Sequence, residues 1–223
     1  MKIKTGKEIE HHDNLKDMLN VRKLIKELPL MYWLILIVQA VFTTSLYTFT
    51  SYATSFIKQR WGYTNSDAAL FAGMVSLTNM VTSPIIGLLV GRYGHRVYLI
   101  LLGSVIMLLT HVGFGFLHIH PAVFTSSLGL VQSIMDSCLL PSVSFVVPEH
   151  IYGRAYQLVV FTYNIGLFIA PIVVGAILDK TGSIITANFV FIGLSSVGAI
   201  SSITMFYVNR IKLGNLLNQS GNE

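Results

Sequence analysis

Charged residues, Asp136 apart, collect at the margins of six long apolar stretches in this chain: Tyr32 to Ile57, Asp67 to Val90, Val97 to Leu117, Pro121 to Val147, Arg154 to Leu178 and Ser183 to Val208. An α-helix rises ~1.5 Å per residue and bilayer hydrocarbon is ~30 Å thick, so ~20 mostly apolar residues suffice for one crossing. Every stretch meets that length. Strands fit poorly, because a barrel strand alternates lumen-facing polar with lipid-facing apolar positions. Leu99 to Leu109 (Ser104 excepted) and Leu167 to Leu178 are apolar on every side. Lipid offers no water to satisfy backbone groups, so helices are the consistent solution. The pattern predicts an all-α polytopic membrane protein with six transmembrane helices over residues 32–209, preceded by a linker (1–31) and followed by a tail (210–223).

Composition agrees, with 53% hydrophobic and 11% charged residues. The net charge of +5 does not indicate nucleic-acid binding, because the positive residues collect beside the spans rather than on one face of a folded domain. Lys2, Lys4, Lys7, Lys16, Arg22, Lys23 and Lys26 precede the first span; Arg92, Arg96, Arg154, Arg210 and Lys212 lie at the same membrane side. The opposite connections hold Lys58, Arg60 and Lys180. This bias predicts that both termini are cytosolic. The triplet Asn218-Gln219-Ser220 then faces the cytosol and is expected to carry no glycan. The single Cys138 lies inside the fourth span, so the chain has no disulfide framework and no cysteine spacing for a metal.

Leu15, Met18, Leu19, Ile25 and Leu28 recur at helical spacing among Lys16, Arg22, Lys23 and Lys26. They predict a basic amphipathic helix on the cytosolic leaflet, or a solvated helical linker, ended by Pro29. No secretory signal core is present in this stretch.

The connections carry turn chemistry. Gly87-x-x-x-Gly91-Arg92-x-Gly94-His95-Arg96 resembles the G-x-x-x-D-R-x-G-R-R signature of the major facilitator superfamily. There, glycines let helix ends approach and basic residues hold the cytosolic edge. A related run, Gly175 to Asp179-Lys180-Thr181-Gly182, follows the fifth span. Ser83-Pro84 to Val90, Ser144 to His150, Gly153, Ala155-Tyr156, Asn164, Gly166-Leu167, Asn209-Arg210 and Gly214 to Leu216 resemble the end of that superfamily's domain-containing protein 1 group. The likeness runs in order over roughly residues 29 to 216.

The resemblance implies a lysosomal exporter of small peptides, especially dipeptides, with twelve helices in two halves, the substrate between them and a glycosylated accessory membrane subunit as partner. This chain resembles the second half of that fold. Gly91 stands where the signature has Asp, which places any latch made by that acid in doubt. Half a transporter would leave polar cavity residues facing lipid. The chain is therefore expected to be a fragment or truncated product, to pair with a separate first half, or to dimerise. An alternative from another class is a half-length regulator that binds a full-length transporter or its accessory subunit.

Polar residues inside the spans mark the expected cavity face. Gln39, Thr43, Tyr47 and Ser51 recur every fourth residue on one side of the first span. Gln132, Ser133, Asp136 and Ser137 share a face of the fourth. An ionised Asp at mid-helix costs about 2.5–3.5 kcal/mol on insertion scales, so Asp136 must face water, pair or be neutral. Asn79, and Gln157 with Asn164, extend the lining. The candidate substrate-binding residues are thus Gln39, Thr43, Tyr47, Asn79, Gln132, Asp136 and Asn164. Gly87, Arg92, Gly94, Arg96, Glu149 and Arg154 form a cytosolic edge, where Glu149, His150 and Arg154 are expected to make a salt-bridge cluster. His111 is expected to be a packing residue. His118 and His120 lack further ligands for a metal, and no cofactor is implied. Catalytic motifs such as H-E-x-x-H or a phosphate-binding Gly-rich loop are missing, so an enzyme is not expected.

Overall fold

A computed structural model describes residues 21–218. It contains a short helix α1 (Val21–Glu27) and six long ones: α2 (Leu30–Trp61), α3 (Asn65–Tyr93), α4 (Arg96–Phe116), α5 (Pro121–Val146), α6 (Glu149–Thr181) and α7 (Ile184–Lys212). All six long helices are long and apolar enough to cross a membrane. The chain is a multi-pass membrane protein.

Helix ends fall where local chemistry supplies the missing hydrogen bonds. Gly62 (φ 74°) and Gly182 (φ 62°) end α2 and α6 in the left-handed conformation that glycine tolerates best. Thr64 starts α3 with a reciprocal cap. Its hydroxyl accepts from the Asp67 N–H at 3.2 Å and donates to the Asp67 carboxylate at 2.7 Å. Pro121 opens α5, where it sacrifices no intrahelical bond, and His120 Nδ1 accepts from the Ala122 N–H at 3.3 Å. α2, α3 and α6 overrun the sequence-predicted spans at both ends, because these caps rather than the hydrophobic margins set where the backbone can stop, whereas α4 and α5 match theirs within one residue.

The bundle is organised around α2, which packs on α3, α5, α6 and α7, while α4 is flanked by α5 and α7. In its most apolar window α2 is 67% buried, against 11% for α3 and 17% for α6. α3 and α6 therefore present most of their surface outward. In the centre Phe49, Phe56, Phe114 and Phe191 meet mostly edge to face, with Phe49 and Phe114 centroids 5.0 Å apart. A polar seam joins α2, α4 and α7. Ser45 lies 3.3 Å from His111 Nε2, Asn188 donates to the His111 carbonyl at 2.8 Å, and Ser104 and Ser202 bond at 2.7 Å. His111 is fully buried and stacked on Phe191, as a packing histidine should be, but its Nδ1 has no partner.

Several expectations at the end of the bundle where α2 begins are corrected. Residues 15–20 of the amphipathic stretch lie outside the described residues. In the described part, Leu24 and Leu28 are buried in the bundle core while Ile25 is exposed, so the helix seats part of its apolar face on protein rather than lipid. His150 Nε2 lies 3.7 Å from the carboxylate of Glu27 in the linker helix rather than against Glu149. Gly87 and Gly91 are exposed, and a Cβ at either would meet nothing within 4 Å. They do not bring helices of this bundle together. The close approaches are elsewhere: a Cβ at Gly129 would overlap the Val75 carbonyl of α3, and one at Gly166 would overlap the Thr44 hydroxyl of α2.

Candidate functional site

A cavity of about 260 Å3 opens between α2, α5 and α6. Gln39, Thr43 and Tyr47 line it from α2, Asp136 and Leu140 from α5, and Tyr163 and Leu167 from α6. Four-residue steps advance ~6 Å along a helix and return nearly to the same side. The α2 residues therefore form a polar ladder down one wall. Ser51 leaves this ladder: its hydroxyl donates to its own helix at the Tyr47 carbonyl (2.8 Å).

Gln39 and Thr43 are both buried, and Gln39 Nε2 donates to Thr43 Oγ1 at 2.8 Å. Higher up, Gln132 Nε2 donates to the Tyr47 hydroxyl at 3.4 Å, linking α5 to α2. Gln132 also interacts with the Asp136 side chain one turn along α5. Asp136 itself is exposed within the bundle and faces the cavity. The cost of an acid in a span is thus met by an open, polar-lined space rather than by a counter-ion.

Three sequence candidates fall outside the lining: Asn79, Asn164 and Gln132, which meets it through the Tyr47 hydroxyl and the Asp136 side chain. Asn79 sits in the α3–α5 seam, where its Oδ1 accepts from Ser133 Oγ at 2.8 Å. Asn164 is exposed and returns its amide to the Val160 carbonyl at 2.7 Å. Tyr163, unnoticed in the sequence, takes the place in the lining that Asn164 was expected to fill. One residue along a helix is a rotation of ~100°, and polarity alone does not reveal which neighbour points inward. The available signal was the aromatic Tyr163 four residues before Leu167, at the spacing of one face.

The edge residues have separate surroundings. Gly94 (φ 70°) and His95 (φ 53°) make the turn before α4. Arg92 lies over its neighbour Tyr93 (5.4 Å), and the buried Arg96 lies over Phe145 (4.4 Å), a cation–π contact that ties the start of α4 to α5. Glu149 opens α6, and Arg154 follows on its next turn. Among the described residues no group of three His, Cys, Asp or Glu could hold a metal ion. A second cavity of about 310 Å3 between α2, α6 and α7 is lined by apolar residues with Thr44 and Thr162 and offers no comparable chemistry.

The arrangement can hold a small polar solute by hydrogen bonds and one carboxylate within an otherwise apolar bundle. Comparison with known proteins agrees with a membrane transporter architecture. The chain is 31% identical over 192 residues to the human protein described as lysosomal dipeptide transporter MFSD1, covering 86% of this chain and 41% of that one. The cattle protein of the same description is likewise 31% identical, and the zebrafish one 29%, with the same coverage. The chain thus spans about two fifths of the length of these relatives. The family model of the Major Facilitator Superfamily matches residues 26–221, and the chain belongs to that superfamily.

Proposed function

We propose that this chain supplies the second half of a transporter that moves small peptides, dipeptides in particular, from the lysosome to the cytosol by alternating access. The observation that carries the reading is the cavity beside Asp136: an acid, two tyrosines, a threonine and an amide face one opening at the core of a lipid-crossing bundle. Such polar investment in a span is costly and belongs with a solute path. The similar proteins are named as lysosomal dipeptide transporters, which supports both the substrate and the membrane. The bias of Lys and Arg supports cytosolic termini.

In this reading the open side of the cavity is closed by a first half, a second copy or an accessory membrane subunit. Asp136 holds the substrate's ammonium or takes up a proton, and the polar ladder of α2 hydrogen-bonds the peptide. Gly87, Arg92, Gly94, Arg96, Glu149 and Arg154 form the cytosolic edge across which the halves rock. The test is uptake of labelled dipeptide by proteoliposomes containing this chain with the first half of a relative. Saturable uptake that falls at least tenfold in Asp136→Asn supports the reading. An Asp136→Asn variant with unchanged rate and unchanged pH dependence removes Asp136 from it, and no uptake of any dipeptide removes the transport reading.

A further inference from the structure

Gln39 holds one end of its amide and leaves the other end free. Its Nε2 is engaged by Thr43 Oγ1 at 2.8 Å, and its side chain is 3% exposed, yet Oε1 has no hydrogen-bond partner. The same side chain lines the cavity between α2, α5 and α6. A buried carbonyl oxygen without a donor is unfavourable, and in native structures such atoms are few. An N–H group on a bound molecule would satisfy it. Thr43 holds the amide nitrogen, which leaves Oε1 as the unpaired end of a side chain in the cavity wall.

The rest of the lining carries no cation, and its hydroxyls can donate or accept. Asp136 adds a carboxylate, an acceptor when ionised, and Tyr47 and Tyr163 add hydroxyls. No Lys, Arg or His side chain is among the described residues lining this space. A ligand carboxylate placed here would meet Asp136 without a counter-charge, whereas an ammonium would be paired.

We propose that Gln39 Oε1 is a specificity acceptor that reads a ligand N–H, and that this cavity, through Gln39 and Asp136, binds the amino end of its ligand, an ammonium with the amide N–H beside it. The carboxylate end is directed away from this bundle. The proposal deepens the peptide reading above and takes its substrate class from it.

The experiment titrates the purified chain in phosphatidylcholine nanodiscs by calorimetry with four probes: glycinamide, Ala-Ala, Ala-Ala-amide and N-acetyl-Ala-Ala. Glycinamide carries only the ammonium and a primary amide, so it tests the acceptor site without assuming a dipeptide cargo. Expected are binding of glycinamide, Ala-Ala and Ala-Ala-amide within about threefold of one another, and a loss of about tenfold or more for N-acetyl-Ala-Ala. Gln39→Met removes the acceptor at similar volume and is expected to weaken glycinamide by about tenfold without lowering the thermal midpoint. Gln39→Glu keeps an acceptor and is expected to stay within about threefold of the parent. The four-probe series needs no variant, so it decides the matter even where a substitution disturbs folding. N-acetyl-Ala-Ala binding as tightly as Ala-Ala, or no binding of any amine, overturns the proposal, the former while leaving the peptide reading intact. Gln39-dependent binding of glycinamide with no binding of any dipeptide form upholds the acceptor site and overturns the peptide reading instead.

Discussion

Asn218 caps a helix that begins more than a hundred residues before it: its Oδ1 accepts the Val97 N–H of α4 at 3.1 Å, and its carbonyl accepts the His95 N–H at 3.2 Å. The His95 side chain makes no cap of its own. The tail reaches this position because Asn209 Oδ1 accepts the Leu217 N–H (3.3 Å) and Leu217 is fully buried. A Ser, Thr, Asp or Asn cap replaced by Ala typically costs ~1 kcal/mol. Asn218→Ala is therefore expected to lower the thermal midpoint of the detergent-solubilised protein, and Leu217→Asp, which buries a charge, to lower it further. A midpoint unchanged in both variants would show that the tail is not held there. The Asn218-Gln219-Ser220 triplet is expected to stay unmodified because the bias of Lys and Arg assigns it to the cytosolic side. Its gel mobility is expected to be unchanged by glycosidase treatment.

Glycines in this chain divide by what surrounds them. Gly166→Val is expected to destabilise by about 1–3 kcal/mol, because the added carbons enter the space of Thr44 on α2. Thr44→Ala in the same chain should recover part of that loss, which a double-mutant cycle of unfolding free energies measures. Gly87→Ala has open space and should change bundle stability by less than ~0.5 kcal/mol. If Gly87→Ala destabilises the isolated bundle as strongly as Gly166→Val, the placement of these helix faces is wrong.

Asp136 sets stability against activity. Asp136→Leu removes an acid whose insertion costs about 2.5–3.5 kcal/mol at a helix centre, so translocon-mediated insertion of α5 should become more efficient. Solute binding in the cavity should fall together with that gain. An insertion assay on α5 and a binding titration on the whole chain check the two halves. Equal loss of both would indicate that Asp136 supports the fold rather than a ligand.

Tyr163 and Asn164 form an internal control. Tyr163 lines the cavity, whereas Asn164 bonds its own helix at Val160. Tyr163→Ala is expected to weaken ligand binding by about tenfold, while Asn164→Ala is expected to leave it within about threefold. Reversal of that order, read by calorimetry, would mean that α6 is rotated by one residue relative to the structure described.

The comparison of pattern with structure turns on what kind of information each residue carries. Six crossings were legible because long apolar runs have one solution in lipid, and the helix stops at Gly62, Gly94 and Gly182 are local turn chemistry. The ladder of Gln39, Thr43 and Tyr47 was legible for a similar reason: a four-residue spacing puts polar atoms on one side whatever they face. Asn79 and Asn164 were misplaced because a polar residue in a span can answer a neighbouring helix, or its own backbone, as well as a ligand. The glycines at 87 and 91 were credited with close packing that Gly129 and Gly166 perform.

Sequence alone determined that this protein threads a bilayer six times as helices, and that Gln39, Thr43 and Tyr47 share one side of α2, because hydrophobic length and helical period act along one segment at a time. Only the tertiary structure decided that α2 is the hub, that Tyr163 rather than Asn164 completes the cavity, and that Asn218 closes the turn before α4. Those outcomes depend on the rotation of each helix against its neighbours, which is set by the fit of side chains far apart in the chain and leaves no local trace in it.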